Sequence, residues 1–111
     1  MGYNEKLADR IRTALAHLPD VKEKKMFGHL AFMVNGKLCV SAAMDKMMFR
    51  IDPALHNEVI KKTGCTPVMM GGREYKGYVD VNEGAFKSNK DFSYWMGLAI
   101  DFNKTAKAAK K

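Results

Sequence analysis

The spacing of apolar residues changes period along the chain, and each change predicts an element. Leu7, Ile11, Ala14, Leu15 and Leu18 recur at helical spacing, with Glu5, Lys6, Arg10 and Arg12 mostly opposite, so the first segment reads as an amphipathic helix. Asn4 stands where an N-cap is needed, and Pro19 ends the helix at or before Leu18. From Glu23 the period shortens. Lys24 to Phe27 reads as a first strand, Gly28 as a bend or bulge, Leu30 to Val34 as a second strand and Lys37 to Ala42 as a third. The intervening Asn35-Gly36 is a strong hairpin signal, because a type I′ turn needs positive φ at both central residues. Ala43 to Lys46 makes the next turn and Met47 to Ile51 a fourth strand. Short connections in succession predict an antiparallel meander rather than crossovers.

Asp52-Pro53 then opens a helix, with Asp52 as N-cap and Pro53 at the first helical position, where its missing N–H is harmless. Leu55, Val59 and Ile60 are expected to face inward, and Gly64 to stop the helix. Thr66 to Met70 is a short extended piece whose Pro67 suggests a sheet edge. After the Gly71-Gly72 turn, Tyr75 to Val81 gives one more strand. Ser88-x-x-Asp91 fits a capping box ahead of Phe92, Trp95, Leu98, Ala99 and Phe102, a helical stripe that should pack on the sheet. The fold class is therefore α+β: an antiparallel meander of about five strands, with N-terminal, middle and C-terminal helices packed mainly on one face.

Length and composition add a class and a compartment. A chain of 111 residues, 47% hydrophobic and 28% charged, suits one soluble domain, read as residues 1–103 followed by a basic tail, 104–111. No run approaches the roughly 18 apolar residues of a membrane span, and the first residues hold no apolar signal segment. A cytoplasmic location is expected. Cys39 and Cys65 form no C-x-x-C pair, so both should be thiols, with Cys39 a small buried hydrophobe on a strand. Lys104, Lys107, Lys110 and Lys111 supply over half of the formal charge of +7.

Candidate chemistry is sparse. His17, His29 and His56 share no metal-ligand spacing; His17 closes a helix, His56 is expected to be exposed, and Gly28 could aim His29 outward. Gly71-Gly72-Arg73 is too short for a phosphate loop and reads as a turn whose arginine pairs with a carboxylate. Asp80 and Glu83 read better as solvated turn residues than as an acid/base pair. Of the nine methionines, Met26 and Met96 suit the core. Met47-Met48 and Met69-Met70 are adjacent pairs in extended chain, so one of each faces the sheet's other side and marks a protein-contact surface.

Lys25-Met26-Phe27-Gly28, then Leu30-Ala31-Phe32-Met33 and Asn35-Gly36-Lys37, resembles the opening of the TfoX/Sxy N-terminal domain family. Gly72-Arg73-Glu74-Tyr75-Lys76-Gly77-Tyr78-Val79 resembles its later Gly-Arg-x-x-Lys-Gly-aromatic segment. Leu7 to Arg12 fits the usual start, and the likeness runs from about Tyr3 to Phe102. His29 departs from it, since members usually carry a second glycine there. The signature residues are thus Lys25, Met26, Phe27, Gly28, Asn35, Gly36, Gly72, Arg73, Lys76, Gly77 and Tyr78. The resemblance implies a stand-alone form of a domain found in bacterial regulators of competence genes, whose longer members add a C-terminal helical domain. It implies a regulatory or adaptor role through protein contact, without a cofactor. The implied partner is RNA polymerase or a transcription activator of the cyclic-AMP receptor type. A homodimer through the edge near Pro67 stays open. So do two other classes: weak, salt-dependent DNA binding by Lys24, Lys25, Lys37 and the tail lysines Lys104, Lys107, Lys110 and Lys111, and an enzyme using Cys39 or His29.

Overall fold

The computed structural model describes residues 3–26 and 28–105. Helix α1 spans Glu5–Leu15 and starts as the sequence directs, with Asn4 Oδ1 accepting from the backbone N–H groups of Lys6 (2.9 Å) and Leu7 (3.2 Å). Its apolar stripe buries Leu7, Ala8, Ile11 and Leu15. Four strands follow as a meander: β1 (Val21–Met26), β2 (His29–Val34), β3 (Lys37–Ala42) and β4 (Lys46–Arg50). Asn35 and Gly36 adopt φ of 55° and 77°, as a type I′ turn requires. β1 begins earlier than expected, because Val21 pairs with Val34 and the charged residues between carry no apolar alternation. Phe27, expected to close that strand, lies outside the described residues.

The chain leaves β4 through a 3₁₀ turn, Pro53–Leu55, capped by Asp52, which runs into a four-residue helix α2, His56–Val59. Then come β5 (Cys65–Met70), β6 (Arg73–Asn82), a 3₁₀ turn (Glu83–Phe86) and helix α3 (Asn89–Asn103), whose N-cap Ser88 accepts from Asp91 N–H at 3.1 Å. β6 lies against β4 and β5 lies outside it, giving one antiparallel sheet in the order β1-β2-β3-β4-β6-β5. The extended piece around Pro67 is thus a sixth strand, where about five were expected. It occupies an edge, the place that tolerates a proline.

Two side-chain rows cross the sheet on one face. Phe32, Val40, Phe49 and Val79 are successive cross-strand partners, as are Leu30, Ala42, Met47, Val81 and Cys65. All are buried, and α1 and α3 cover them: Phe92, Trp95, Met96 and Ala99 of α3 enter the same cluster, with the Trp95 ring 5.8 Å from that of Phe49. Burying a ring such as Phe49 stabilises the fold by roughly 2–3 kcal/mol. Met47 is therefore core, where the sequence offered it as a contact residue; alternation shows that one methionine of a pair faces inward, not which. Met96 is core as expected.

Two expectations in the second helix fail together. Leu55 is exposed and His56 is fully buried. A stripe at 3.6 residues per turn does not apply, because the segment starts as a tighter 3₁₀ turn, which rotates the following side chains.

Candidate functional site

His56 owes its burial to a kink in β6. Pro67 pairs with Val79 but Val68 pairs with Tyr75, so Lys76, Gly77 and Tyr78 have no partner on β5. Gly77 takes φ of 91° at this bulge. Its N–H donates to His56 Nδ1 at 3.0 Å, and its carbonyl accepts from Ile51 N–H at 2.7 Å. Because Nδ1 accepts, Nε2 carries the proton and donates to Glu74 Oε2 at 2.5 Å. A carboxylate–imidazole pair is a familiar orienting device for a base. Here both ring nitrogens are engaged and the ring is sealed, so the pair fixes the β5–β6 hairpin to the turn after β4. Sequence reasoning missed it; the only hint was that Glu74 and Gly77 share one motif.

An open groove of about 930 Å³ lies between the loop after α2, the turn after β6 and the first turns of α3. Lys61, Lys62 and Lys90 line it against one acid, Asp91, and Ala85 and Trp95 contribute apolar surface. Among the described residues, Lys61 and Lys90 make no ion pair, while the Lys62 ammonium sits 5.1 Å from the centre of the exposed Tyr94 ring. A smaller hollow of about 340 Å³ shares Lys61, Lys62 and Tyr94 and adds Leu55, Glu58, Val59 and Leu98. Leu55 thus lines a notch, mostly aliphatic but for Glu58, at the side of a basic groove. Sequence reasoning did not single out these lysines.

Among the described residues, no helix packs on the opposite sheet face. Register places Met33 and Leu38 there as cross-strand partners, with Ser41 partnering both Ala31 and Met48. Met33, Leu38 and Met48 are half-buried and stand outside the core cluster. Met69 is exposed, and the side chain of Met70, like that of Met26, lies outside the described residues.

The other predicted residues are scattered. Lys24 and Lys25 are exposed on edge strand β1, and Lys25 Nζ lies 6.0 Å from the Tyr3 ring. Lys37 donates its ammonium to the Asn103 carbonyl at 2.6 Å, holding the last turn of α3 to the β2–β3 hairpin. Lys104 lies 3.7 Å from Asp101, and Lys107, Lys110 and Lys111 fall outside the described residues. Arg73 is exposed and forms no ion pair among the described residues, contrary to expectation. Lys76 Nζ reaches Asn57 Oδ1 at 3.4 Å, and the Tyr78 ring meets Tyr75 edge-on and has the Arg50 guanidinium 5.7 Å from its centre. Asp80 pairs with Lys46 at 3.4 Å, and Glu83 is exposed. His17 is exposed and His29 half-buried. Cys39 and Cys65 are buried thiols. Burial pushes Cys39 up to about 12; burial and then Asp80 push Cys65 to about 11. Cys39 is also the extra residue of a bulge, since Met33 pairs with Leu38 and Phe32 with Val40. No group of three or more metal-ligating side chains occurs among the described residues, and no helix among them is long and apolar enough to cross a membrane.

Comparison with curated proteins gives no match, and comparison with solved structures gives none. Among protein families, the TfoX N-terminal domain matches residues 13–103. That stretch holds the whole sheet, the bulge at Gly77 and helix α3, so the chain belongs to the TfoX N-terminal domain family.

Proposed function

We propose that this chain is a small cytoplasmic regulatory or adaptor domain that works by protein contact, without catalysis or a cofactor. RNA polymerase or a transcription activator is the partner class. The observation that carries this reading is the helix-free face of the sheet, where Met33, Leu38 and Met48 stay half-buried outside the core. Methionine and leucine surfaces of this kind adapt to protein partners. The enzyme alternative loses support because Cys39 is buried with its thiol pushed to about 12, far from the activated thiolate that catalysis needs. The test is retention of RNA polymerase or an activator from native lysate by the immobilised chain. The wild type retains one of them and Leu38→Glu with Met48→Glu loses most of it; equal retention, or retention of neither, overturns the reading.

DNA contact is the second reading, favoured by the exposed Lys24 and Lys25 on β1. With Lys37 engaged in the fold, this contact is expected to be weak and salt-dependent. Anisotropy at two ionic strengths checks it, and salt-resistant, sequence-selective binding would reverse the ranking.

A further inference from the structure

We infer that the groove at the start of α3 binds an acidic segment of a partner protein, with an apolar residue of that segment seated in the notch beside Leu55. Three lysines converge on the groove from two places in the chain, and only Asp91 opposes them. Lys61 and Lys90 are without an ion pair among the described residues, so their charge is available to a ligand. Charge complementarity therefore selects an anionic occupant. The notch settles its kind. Leu55, Val59 and Leu98, together with the single acid Glu58, line a hollow that shares Lys61, Lys62 and Tyr94 with the groove. Carboxylates along the groove and one aliphatic side chain in the notch satisfy both halves at once. A nucleotide leaves the mismatch that the flat ring of Tyr94 already carries Lys62 on it and packs edge-on to Trp95. The groove belongs to the helical layer, away from the bare sheet face, so this site goes beyond the surface proposed above and is tested separately.

The probe is a short labelled peptide of aspartate and glutamate with one central leucine, titrated into the full chain. Trp95, the chain's single tryptophan, lines the groove and reports occupancy by its fluorescence. The wild type is expected to bind, with the triple variant Lys61→Gln, Lys62→Gln, Lys90→Gln weakened roughly tenfold or more, since each half-exposed pair contributes a few-fold. Leu55→Asn weakens binding several-fold, and replacing the peptide's leucine by serine does the same to the wild type. Lys24→Gln with Lys25→Gln leaves it unchanged. No binding, or binding indifferent to the three lysines, overturns the inference. So does a single-stranded oligonucleotide that binds more tightly than the peptide through the same lysines. Partner retention by the sheet face with no peptide binding would sink this site alone.

Discussion

Gly77→Ala perturbs a glycine where backbone sign and packing are constrained together and where its own backbone groups hold His56 and Ile51. An alanine at φ of 91° sits in the region that L-residues avoid, at a cost of roughly 1–2 kcal/mol. Its Cβ would lie 3.0 Å from the Ile51 carbonyl oxygen and 3.2 Å from Pro53 Cγ. Neither neighbour yields freely, because Ile51 N–H donates to the Gly77 carbonyl at 2.7 Å and the Gly77 N–H holds His56. Moving apart stretches both bonds, each worth about 1 kcal/mol net. The sum is about 2–4 kcal/mol. Gly72 is an internal control: its φ is 78°, but nothing stands within 4 Å of an added Cβ, so Gly72→Ala carries only the backbone strain. Urea unfolding followed by Trp95 fluorescence reads both, with the midpoint falling at unchanged slope. If Gly77→Ala costs no more than Gly72→Ala, the bulge is not packed as described.

His56→Ala strands the Gly77 N–H and opens a cavity in a fully buried site; the expected loss is about 2–4 kcal/mol, whereas Glu74→Gln keeps an acceptor for Nε2–H and costs under about 1.5 kcal/mol by the same unfolding assay. Cys39 and Cys65 should label at least about a hundredfold more slowly in the native chain than in denaturant at pH 8, located by mass spectrometry; native labelling at the denatured rate refutes their burial. Hydrogen bonds from the Arg12 guanidinium hold the Glu23 carboxyl below its ordinary value of 4.5. The native state therefore binds fewer protons there than the unfolded chain, so the pair stabilises above about pH 4.5 and its contribution fades as pH falls through the native pKa. Both side chains are over a third exposed, so Glu23→Gln should cost at most about 1 kcal/mol at pH 7 and about nothing near pH 2.

What the sequence revealed and what it hid divide by the range of the interaction. Asn35-Gly36 and the alternation through Leu30, Phe32 and Val34 are local demands, and both strands around that turn could be placed from them. Asp52, Pro53 and Ser88 likewise mark helix starts through contacts within three residues. β5 was legible only as extended, because its strand character comes from pairing with β6. His56 was misplaced since its two partners lie 18 and 21 residues away. The groove was invisible for the same reason: Lys61 and Lys90 meet only because β6 returns between them.

The residues that carry the family likeness are largely conformational. Gly28, Asn35, Gly36, Gly72 and Gly77 all have positive φ, and Lys76 and Tyr78 sit in the bulge that Gly77 makes. Such positions fix where the chain turns, and say little about what it binds. The groove lysines lie outside that set, on exposed turns and at a helix start, where a side chain can change without moving backbone. Scaffold and binding chemistry should therefore separate experimentally. Gly77→Ala lowers the unfolding midpoint while the folded fraction still binds the acidic peptide; replacing Lys61, Lys62 and Lys90 leaves the unfolding free energy within about 0.5 kcal/mol and weakens peptide binding. A groove variant that loses stability as well as binding would mean the lysines hold the fold, and the division drawn between the two sets of residues would be wrong.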